Sequence, residues 1–252
     1  RVAATCDAAE NATCTASRQN QSLFRNMSDM QPHRFRAILI DLDGTLLETA
    51  PDLGDSLNRI LRSVDRRALS EAEVRSMIGD GLAKLIERGF AATGGIPEQA
   101  RYDELLAAFM SDYTANSTVR THPNPNTIAF CTAEQARGVK LAVVTNKPVI
   151  PSKVILDANG FTPLLTALVG GDSASAKKPD PAPVRLALRQ MDIPAEDAVM
   201  IGDSPADVGA ARAAGIPVAA YRHGYTSVPV DDLGADLVFD DFADLGAALT
   251  KL

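Results

Sequence analysis

The stretch from Arg36 to Glu48, RAILIDLDGTLLE, constrains the fold more than any other part of the sequence. Its apolar run, Ala37 to Ile40, ends at a turn signal, and this pattern predicts a strand buried on both faces. Aspartates follow at Asp41 and Asp43. Because residues two apart on an extended chain point the same way, both carboxylates should lie at the carboxyl end of that strand. Open α/β sheets bind their ligands at this end.

Two carboxylates so close together repel each other unless a cation, a proton or a hydrogen-bond donor lies between them. Mg²⁺ suits such a pair, because it takes oxygen ligands and keeps room for waters and a substrate phosphate. The alternative is a strand end with two capping or turn aspartates. The spacing of the aspartates alone does not decide between these two interpretations.

The rest of the chain predicts an α/β fold interrupted by helices. Residues 49–119 carry apolar residues at helical spacing without a strand signal, and Ser70 with Glu73 forms the pattern of a capping box. From residue 120 to 252, strand-like and helical segments alternate, which predicts parallel strands joined by helical crossovers. The sheet should therefore be formed by residues 34–48 and 120–252, with a block of helices inserted between them.

Composition excludes several classes of protein. The 252 residues carry a net charge of -7, whereas a nucleic-acid binder usually shows a basic balance or patch. The sequence contains no apolar run near the ~18 residues of a membrane span. The three cysteines form neither a disulfide framework nor a zinc spacing, and Cys131 should be a small buried apolar residue. We therefore expect no nucleic-acid or membrane partner and a cytoplasmic location. Composition leaves both a monomer and a homodimer open.

Residues 1–33 have no hydrophobic period and are rich in Ala, Thr, Asn, Gln and Ser. Low hydrophobicity predicts a disordered or weakly ordered extension. It has no apolar segment typical of a secretory signal. Met27 or Met30 is the expected natural start, and the segment offers no catalytic candidate.

Polar residues also follow three later predicted strands or open the loops after them: Thr145 and Asn146, Lys177 and Lys178, and Asp203 followed by Asp207. Hydroxyl, amide and ammonium groups can bind phosphate oxygens, and carboxylates can bind a cation. Taken one at a time, each has a structural alternative. These are a strand-end turn, a solvated pair of lysines and a helix N-cap.

Taken in order, the four motifs resemble those of the haloacid dehalogenase-like (HAD) phosphohydrolases. The matching strings are DLDGT from Asp41, VVTNKP, GGD…KKPDP and GDS-x-x-D. LLETAPDL, residues 46–53, is similar to the phosphoglycolate phosphatase branch. The resemblance covers about residues 36–252. It implies a Rossmann-like, doubly wound parallel sheet, with residues 49–119 as a small α-helical (C1) cap domain.

The resemblance also implies a role for each residue. Asp41 is the nucleophile, Asp43 the general acid and base, and Thr145, Asn146 and Lys178 hold the phosphoryl group. Mg²⁺ is held by Asp41, the backbone carbonyl of Asp43, and Asp203, with Asp207 orienting the groups behind them. Dehalogenases of the superfamily carry another residue at the place of Asp43 and need no metal, so this aspartate favours a phosphatase or a phosphomutase.

The expected substrate is a small phosphorylated metabolite, with 2-phosphoglycolate as the first choice. The string IGDGLAKLIER, ending at Arg88, resembles a loop of the phosphoglycolate phosphatase branch. Lys84 and Arg88 lie four apart on one helix face, where either is expected to meet the substrate carboxylate. A solvated face with Glu87 nearby is the alternative.

Other functions stay open from the sequence. One is the same hydrolysis, through an aspartyl-phosphate intermediate, of N-acetylmuramate 6-phosphate, another sugar phosphate or pyrophosphate. Another is a phosphomutase of the β-phosphoglucomutase type. A third is a non-catalytic phosphate sensor or partner-binding protein, which the complete set of acidic residues and Lys178 disfavours.

Overall fold

A computed structural model describes residues 33–226 and 228–252 of the chain. These residues contain the strands β1 (Ala37–Ile40), β2 (Leu47–Glu48), β3 (His122–Pro123), β4 (Lys140–Val144), β5 (Ala167–Val169), β6 (Ala198–Gly202), β7 (Val218–Tyr221) and β8 (Leu237–Phe239). Six of them form a parallel sheet in the order β5-β4-β1-β6-β7-β8. The predicted parallel α/β sheet is confirmed.

Strand β1 lies in the middle of this sheet, and its register places the later polar residues at one edge. Ile40 lies opposite Val143 of β4 and Ile201 of β6. All three strands run in the same direction, so the residues that follow them emerge at the same edge. We call this edge, with the loops that extend from it, the catalytic edge.

Helices cover both faces of the sheet. In chain order the α-helices are α1 (Ala50–Arg62), α2 (Glu71–Arg75), α3 (Leu82–Ala92), α4 (Gln99–Asn116), α5 (Thr127–Ala136), α6 (Val149–Ala158), α7 (Ala182–Met191), α8 (Pro205–Ala214) and α9 (Phe242–Ala248). Ile38 and Ile40 pack into a core with α5, α6 and α9, whereas Leu39 packs into a second core with α7 and α8. Alternate residues of β1 therefore serve opposite faces, as a doubly wound sheet requires.

Helices α1 to α4 form a helical insert between β2 and β3. The insert has an apolar cluster of its own, in which Leu57, Phe90 and Phe109 are fully buried. The capping box of Ser70 and Glu73 is present at the start of α2. Strands β2 and β3 pair antiparallel, so the chain enters and leaves the insert side by side. The helices fall within the predicted span 49–119, and the exact domain bounds remain a prediction.

Of the remaining predictions from composition, the one on Cys131 is confirmed and the one on the N-terminal extension stays a prediction. Cys131 is fully buried in the core, as expected, and burial raises the pKa of its thiol to about 12. The extension predicted for residues 1–33 lies outside the described residues, except for His33. None of the helices in the described ranges has the length and apolar composition that a membrane crossing requires.

Candidate active site

Asp41, directly after β1, is bound by a buried lysine. Its Oδ1 accepts a hydrogen bond of 2.7 Å from Nζ of Lys178. The same ammonium donates to the carbonyl oxygen of Val144 at 2.6 Å and to Oδ1 of Asp207 at 2.6 Å. Because an ammonium has three protons, these acceptors use all of them and fix Lys178 in one position. Asp41 is 8% exposed and Lys178 is 4% exposed.

Asn146 holds the loop that carries Lys178. Its Oδ1 accepts from the backbone N–H of Lys178 at 2.9 Å, and its Nδ2 donates to the carbonyl of the same residue at 3.0 Å. Nδ2 also donates to the carbonyl oxygen of Gly79, in the helical insert, at 3.0 Å. Both amide protons are therefore engaged, so a role in phosphate binding would fall to the backbone N–H of Asn146.

Asp203, at the end of β6, is held by donors on both carboxylate oxygens. Oδ1 accepts from Oγ1 of Thr45 at 2.7 Å, and Oδ2 accepts from the backbone N–H of Tyr225 at 2.6 Å. The turn at Gly44 has φ +84°, and a Cβ there would lie 2.9 Å from Oδ2 of Asp203. Glycine at this position permits both the turn and the close approach.

Three carboxylates meet at the catalytic edge. One oxygen from each of Asp41, Asp203 and Asp207 lies within 4.8 Å of the others. Asp207 accepts from Lys178 through Oδ1, and its Oδ2 accepts from the backbone N–H of Asp203 at 3.2 Å. This carboxylate also accepts, through the same Oδ2, from the backbone N–H of Ser204 at 3.1 Å and from the Ser204 hydroxyl at 2.6 Å. Its oxygens are thus the most occupied of the three. Asp43 directs its carboxylate elsewhere, to Oγ1 of Thr49 at 2.6 Å and to Nζ of Lys147.

The charges at this edge leave negative charge uncompensated. Burial raises the pKa of Asp41 to about 7 against the opposing effect of Lys178, and Asp207 and Asp43 add to the rise. Burial, with the charges of Asp41 and Asp207, also raises the pKa of Asp203. Burial alone would lower the pKa of Lys178, but the two aspartates outweigh it and raise this pKa. Buried carboxylate oxygens with excess negative charge fit a hard divalent cation such as Mg²⁺.

Lys147 is a second buried lysine at this edge. It is 1% exposed, and its Nζ donates to Oδ1 of Asp43 and to Oη of Tyr113, the latter at 2.7 Å. The ammonium also lies 4.8 Å from the centroid of the Tyr113 ring. Tyr113 belongs to α4, so Lys147 joins the helical insert to an aspartate of the catalytic edge.

Two adjoining cavities separate the catalytic edge from the helical insert, and Asp41 and Asp43 line both. The larger has a volume of about 180 Å³ and extends to Asp203, Tyr225 and Arg88. The smaller, of about 20 Å³, lies between polar residues of the edge and apolar residues of the insert. The residues that line the smaller cavity besides the two aspartates are Thr145, Asn146, Lys147, Leu53, Ile78, Gly79, Gly81, Leu82 and Leu85.

The two predicted cations of α3 lie on the insert side. Lys84 is on an exposed part of the helix and pairs with Glu87 at 2.6 Å. Arg88 donates to the carbonyl of Met77 at 2.8 Å and pairs with Asp80. Arg88 lines the larger cavity, whereas Lys84 faces solvent beside Glu87.

Comparison with known proteins places this arrangement in a family. The family model described as haloacid dehalogenase-like hydrolase matches residues 38–221. This chain belongs to the haloacid dehalogenase-like hydrolase family. The phosphoglycolate phosphatase of Rhodospirillum rubrum is 42% identical over 219 residues, which cover 84% of this chain and 89% of the relative. The phosphoglycolate phosphatase of Caulobacter vibrioides is 39% identical over 226 residues, 90% of this chain and 95% of the relative.

Solved structures agree with this assignment. The crystal structure of a predicted phosphoglycolate phosphatase from Haemophilus somnus superposes with a TM-score of 0.81 at 33% identity. The superposition covers 84% of this chain and 96% of the other. The fold class and the family expected from the sequence are confirmed, and the relatives make this member of the haloacid dehalogenase-like hydrolases a phosphatase.

In this family member, the residues predicted from the four motifs lie around one cavity system, with Lys178 and Asp207 bonded behind it. Sequence reasoning missed Lys147 and Tyr113. Lys147 directly follows Thr145 and Asn146, which was a usable signal, but a lysine after a strand is usually solvated. Tyr113 shares the apolar face of α4 with Leu105 and Phe109, so its sequence pattern indicates only a core residue.

Proposed function

We propose that this chain is a Mg²⁺-dependent phosphomonoester hydrolase that acts through an aspartyl-phosphate on Asp41 and that its substrate is 2-phosphoglycolate. The main observation in support is the buried contact between Lys178 and Asp41, with Asp203 beside them and a cavity in front. A carboxylate fixed in this way is held ready to attack one point in the cavity.

In the first step, an oxygen of Asp41 forms a bond to phosphorus while the bond from phosphorus to the ester oxygen breaks. The leaving alkoxide needs a proton, and we assign this role to Asp43; its position at both cavities with Asp41 supports the assignment. In the second step, Asp43 takes a proton from water, the hydroxide attacks phosphorus, and Asp41 is released with free phosphate. The proton that Asp43 gives to the alkoxide in the first step is replaced by the one that it takes from water in the second.

Thr145 and Lys178 position the phosphoryl group in different ways. Oγ1 of Thr145 accepts from the backbone N–H of Lys147 at 3.2 Å, which leaves its hydroxyl proton to donate to a phosphoryl oxygen. Lys178 has its three protons bound to protein acceptors, so it acts through its positive charge and through its hold on Asp41. Fixed charges and donors of this kind supply much of the rate of phosphoryl transfer.

The proposal includes a bound Mg²⁺ ion beside Asp41. Asp41, Asp203 and the backbone carbonyl of Asp43 would hold Mg²⁺, and the chemistry it supplies there is to draw negative charge from the phosphoryl oxygens. Asp207, bound to Lys178 and to backbone N–H groups, orients this set from behind. The raised pKa of Asp41 and Asp203 in the protein alone supports a site built for a cation.

Two observations support a small substrate. The cavities, of about 180 and 20 Å³, lie below the ~300 Å³ at the lower end of drug-sized ligand sites. The related proteins from Rhodospirillum rubrum and Caulobacter vibrioides carry the name phosphoglycolate phosphatase. A substrate with a single methylene between phosphate ester and carboxylate fits both observations.

Phosphate release from a panel of substrates tests this proposal. The panel contains 2-phosphoglycolate, N-acetylmuramate 6-phosphate, glucose 1-phosphate and pyrophosphate, each with Mg²⁺ and with EDTA. We expect the highest kcat/KM for 2-phosphoglycolate and loss of all activity with EDTA. Activity that persists with EDTA would contradict the proposed dependence on Mg²⁺. A higher kcat/KM for another compound would make that compound the better candidate for the substrate. Isomerisation of glucose 1-phosphate without free phosphate would instead identify a mutase.

A further inference from the structure

We propose that Lys147 binds the carboxylate of the substrate and thereby makes this phosphatase selective for 2-phosphoglycolate. Tyr113 of the helical insert holds the ammonium of Lys147 in place. This inference rests on the proposed function and deepens it, because it names the side chain that tells 2-phosphoglycolate from a phosphate ester without a carboxylate.

The hydrogen bonds of Lys147 leave it able to bind a ligand. An ammonium carries three protons. Two of them go to Asp43 and Tyr113, so the third is available to an anion in the smaller cavity, which Lys147 lines. A lysine that is 1% exposed has little contact with bulk water, so its ammonium does not have to be desolvated further when an anion binds to it.

The shape of the substrate brings its carboxylate to this lysine. In 2-phosphoglycolate, the ester oxygen and the carboxylate carbon are bonded to the same methylene carbon. The ester oxygen must reach Asp43 to receive a proton, and Asp43 is hydrogen-bonded to Nζ of Lys147. An ester oxygen at Asp43 leaves the carboxylate carbon only two bonds away, close enough for Lys147, the hydrogen-bond partner of Asp43, to bind the carboxylate.

Other cations around the cavities are less suited to this task. Lys178 has three protein acceptors and holds the nucleophile. Arg88 is paired with Asp80, has 34% of its side chain exposed and lines the larger cavity. Lys147 instead shares its cavity with the apolar residues Leu53 and Leu82, where an ion pair is screened less than at the surface.

Tyr113 acts as a positioning residue. Its hydroxyl accepts from Lys147 and its ring lies 4.8 Å from the ammonium, so it restrains the lysine by a hydrogen bond and by a cation–π contact. Tyr113 is fully buried in the apolar cluster of the insert, next to Phe109. The insert thus contributes to selectivity through a rigid aromatic side chain that acts on Lys147, in addition to the apolar residues with which it lines the smaller cavity.

Lys147→Met tests the proposal when two substrates are compared. Ethyl phosphate has the skeleton of 2-phosphoglycolate with a methyl group in place of the carboxylate. We expect the ratio of kcat/KM for 2-phosphoglycolate to that for ethyl phosphate to fall by on the order of 10²-fold, the size typical of a lost buried charge pair. Loss of activity by the same factor for both substrates would mean that Lys147 only positions Asp43, and would overturn the proposal.

Further variants keep the test decisive. Lys147→Gln keeps hydrogen-bond donors for Asp43 and Tyr113 but carries no charge. It should therefore also lose the preference for 2-phosphoglycolate over ethyl phosphate. This variant replaces Lys147→Met if Lys147→Met does not fold. Lys147→Arg should restore part of the preference. Lys153→Met removes an exposed charge of α6, paired with Asp157, and should leave the ratio unchanged. Tyr113→Phe should lower the ratio several-fold.

The two substrates also separate this inference from the proposed function. A wild-type protein without a preference for 2-phosphoglycolate over ethyl phosphate would remove the proposed substrate. A wild-type preference that the folded variants Lys147→Met and Lys147→Gln retain would leave the proposed function standing and overturn the role of Lys147.

Discussion

The catalytic edge and the helical insert face the same cavities but hold their polar groups in different ways. At the edge, Lys178 is bound by three acceptors and Asp203 by two donors, all buried. On the insert, Lys84 and Arg88 form partly exposed pairs with neighbours on or near the same helix. Exposed ion pairs contribute about 0–1 kcal/mol, whereas a buried charge that loses its partner costs about 3–5 kcal/mol.

This difference indicates that the catalytic edge and the helical insert contribute differently to the proposed reaction. The edge is preorganised for chemistry because backbone geometry and buried charge pairs fix each group before substrate arrives. The insert closes the cavity mainly with apolar residues, and it reaches the edge with a buried polar group at Tyr113. Substitutions at the edge should therefore have much larger effects than substitutions on the exposed face of α3.

Asp41→Asn should have the largest effect. The amide keeps an oxygen for the hydrogen bond from Lys178, so the fold should persist, but an amide is no nucleophile toward phosphorus. We expect kcat to fall by on the order of 10⁴-fold or more, as for removal of other nucleophiles. Steady-state phosphate release measures the loss in kcat, and thermal unfolding shows whether the variant is folded. A folded variant with near-normal kcat would rule out Asp41 as the nucleophile.

Asp43→Asn should lose proton transfer to the leaving group, worth roughly 10²–10⁴-fold in kcat/KM for 2-phosphoglycolate. The loss in kcat/KM should be smaller for p-nitrophenyl phosphate, because nitrophenolate leaves without needing a proton. Comparison of kcat/KM for the two substrates isolates this role, because kcat/KM reports the steps up to phosphoryl transfer and excludes the hydrolysis that both substrates share. Equal losses in kcat/KM for both would show that Asp43 does not protonate the leaving group.

Mg²⁺ binding should depend on pH. Without metal, the pKa of Asp41 is raised from 3.8 to about 7, so below about pH 7 the ion has to displace a proton. Affinity for Mg²⁺ should therefore weaken as the pH falls through 7, by about 10-fold per unit for each displaced proton. The raised pKa of Asp203, the second carboxylate ligand, adds a further proton that the ion has to displace. Calorimetric titration of the protein alone at several pH values measures this; the variant Asp203→Asn is the control that should bind weakly throughout.

The same shift predicts how stability depends on pH. A carboxyl whose pKa is raised on folding binds more protons in the folded than in the unfolded state between pH 3.8 and about 7. The contribution of Asp41 to the free energy of unfolding of the metal-free protein, measured as the difference from Asp41→Asn, should therefore fall as the pH rises through this range, and Mg²⁺ should restore it most at the upper end. Equal stabilisation by Mg²⁺ at both ends of the range would contradict this assignment.

Lys84→Ala and Arg88→Ala should have the smallest effect. Both side chains are already paired on the insert, and we expect the double variant to change kcat/KM for 2-phosphoglycolate by less than about 5-fold, in line with exposed ion pairs. The sequence instead predicts that one of them meets the carboxylate. A loss on the order of 10²-fold, specific for 2-phosphoglycolate over ethyl phosphate, would move the carboxylate site from Lys147 to α3.

The sequence predicts the catalytic edge well for a physical reason. A buried parallel strand has a recognisable apolar pattern, and the topology brings the residues after such strands to one edge. Asp41, Thr145 and Asp203 follow from this rule. Lys178 does not, because nothing in the spacing separates it from Lys177, and only the family resemblance selected it.

The insert side is harder to predict because its contacts join distant segments. The hydrogen bond between Lys147 and Tyr113 links the end of β4 to a helix 34 residues earlier in the chain. Helical periodicity shows that Tyr113 is buried but not what its hydroxyl meets. The pairing of β2 with β3 is also missing from the prediction, because two-residue strands are too short to show a period.

The stereochemistry at phosphorus tests the central claim most directly. The substrate is a 2-phosphoglycolate analogue whose phosphorus is made chiral with sulfur and an oxygen isotope, hydrolysed in water that carries a third isotope. Transfer to Asp41 and then to water inverts the configuration twice, so the account predicts net retention. Net inversion would mean that water attacks the ester directly, and it would contradict the aspartyl-phosphate on Asp41.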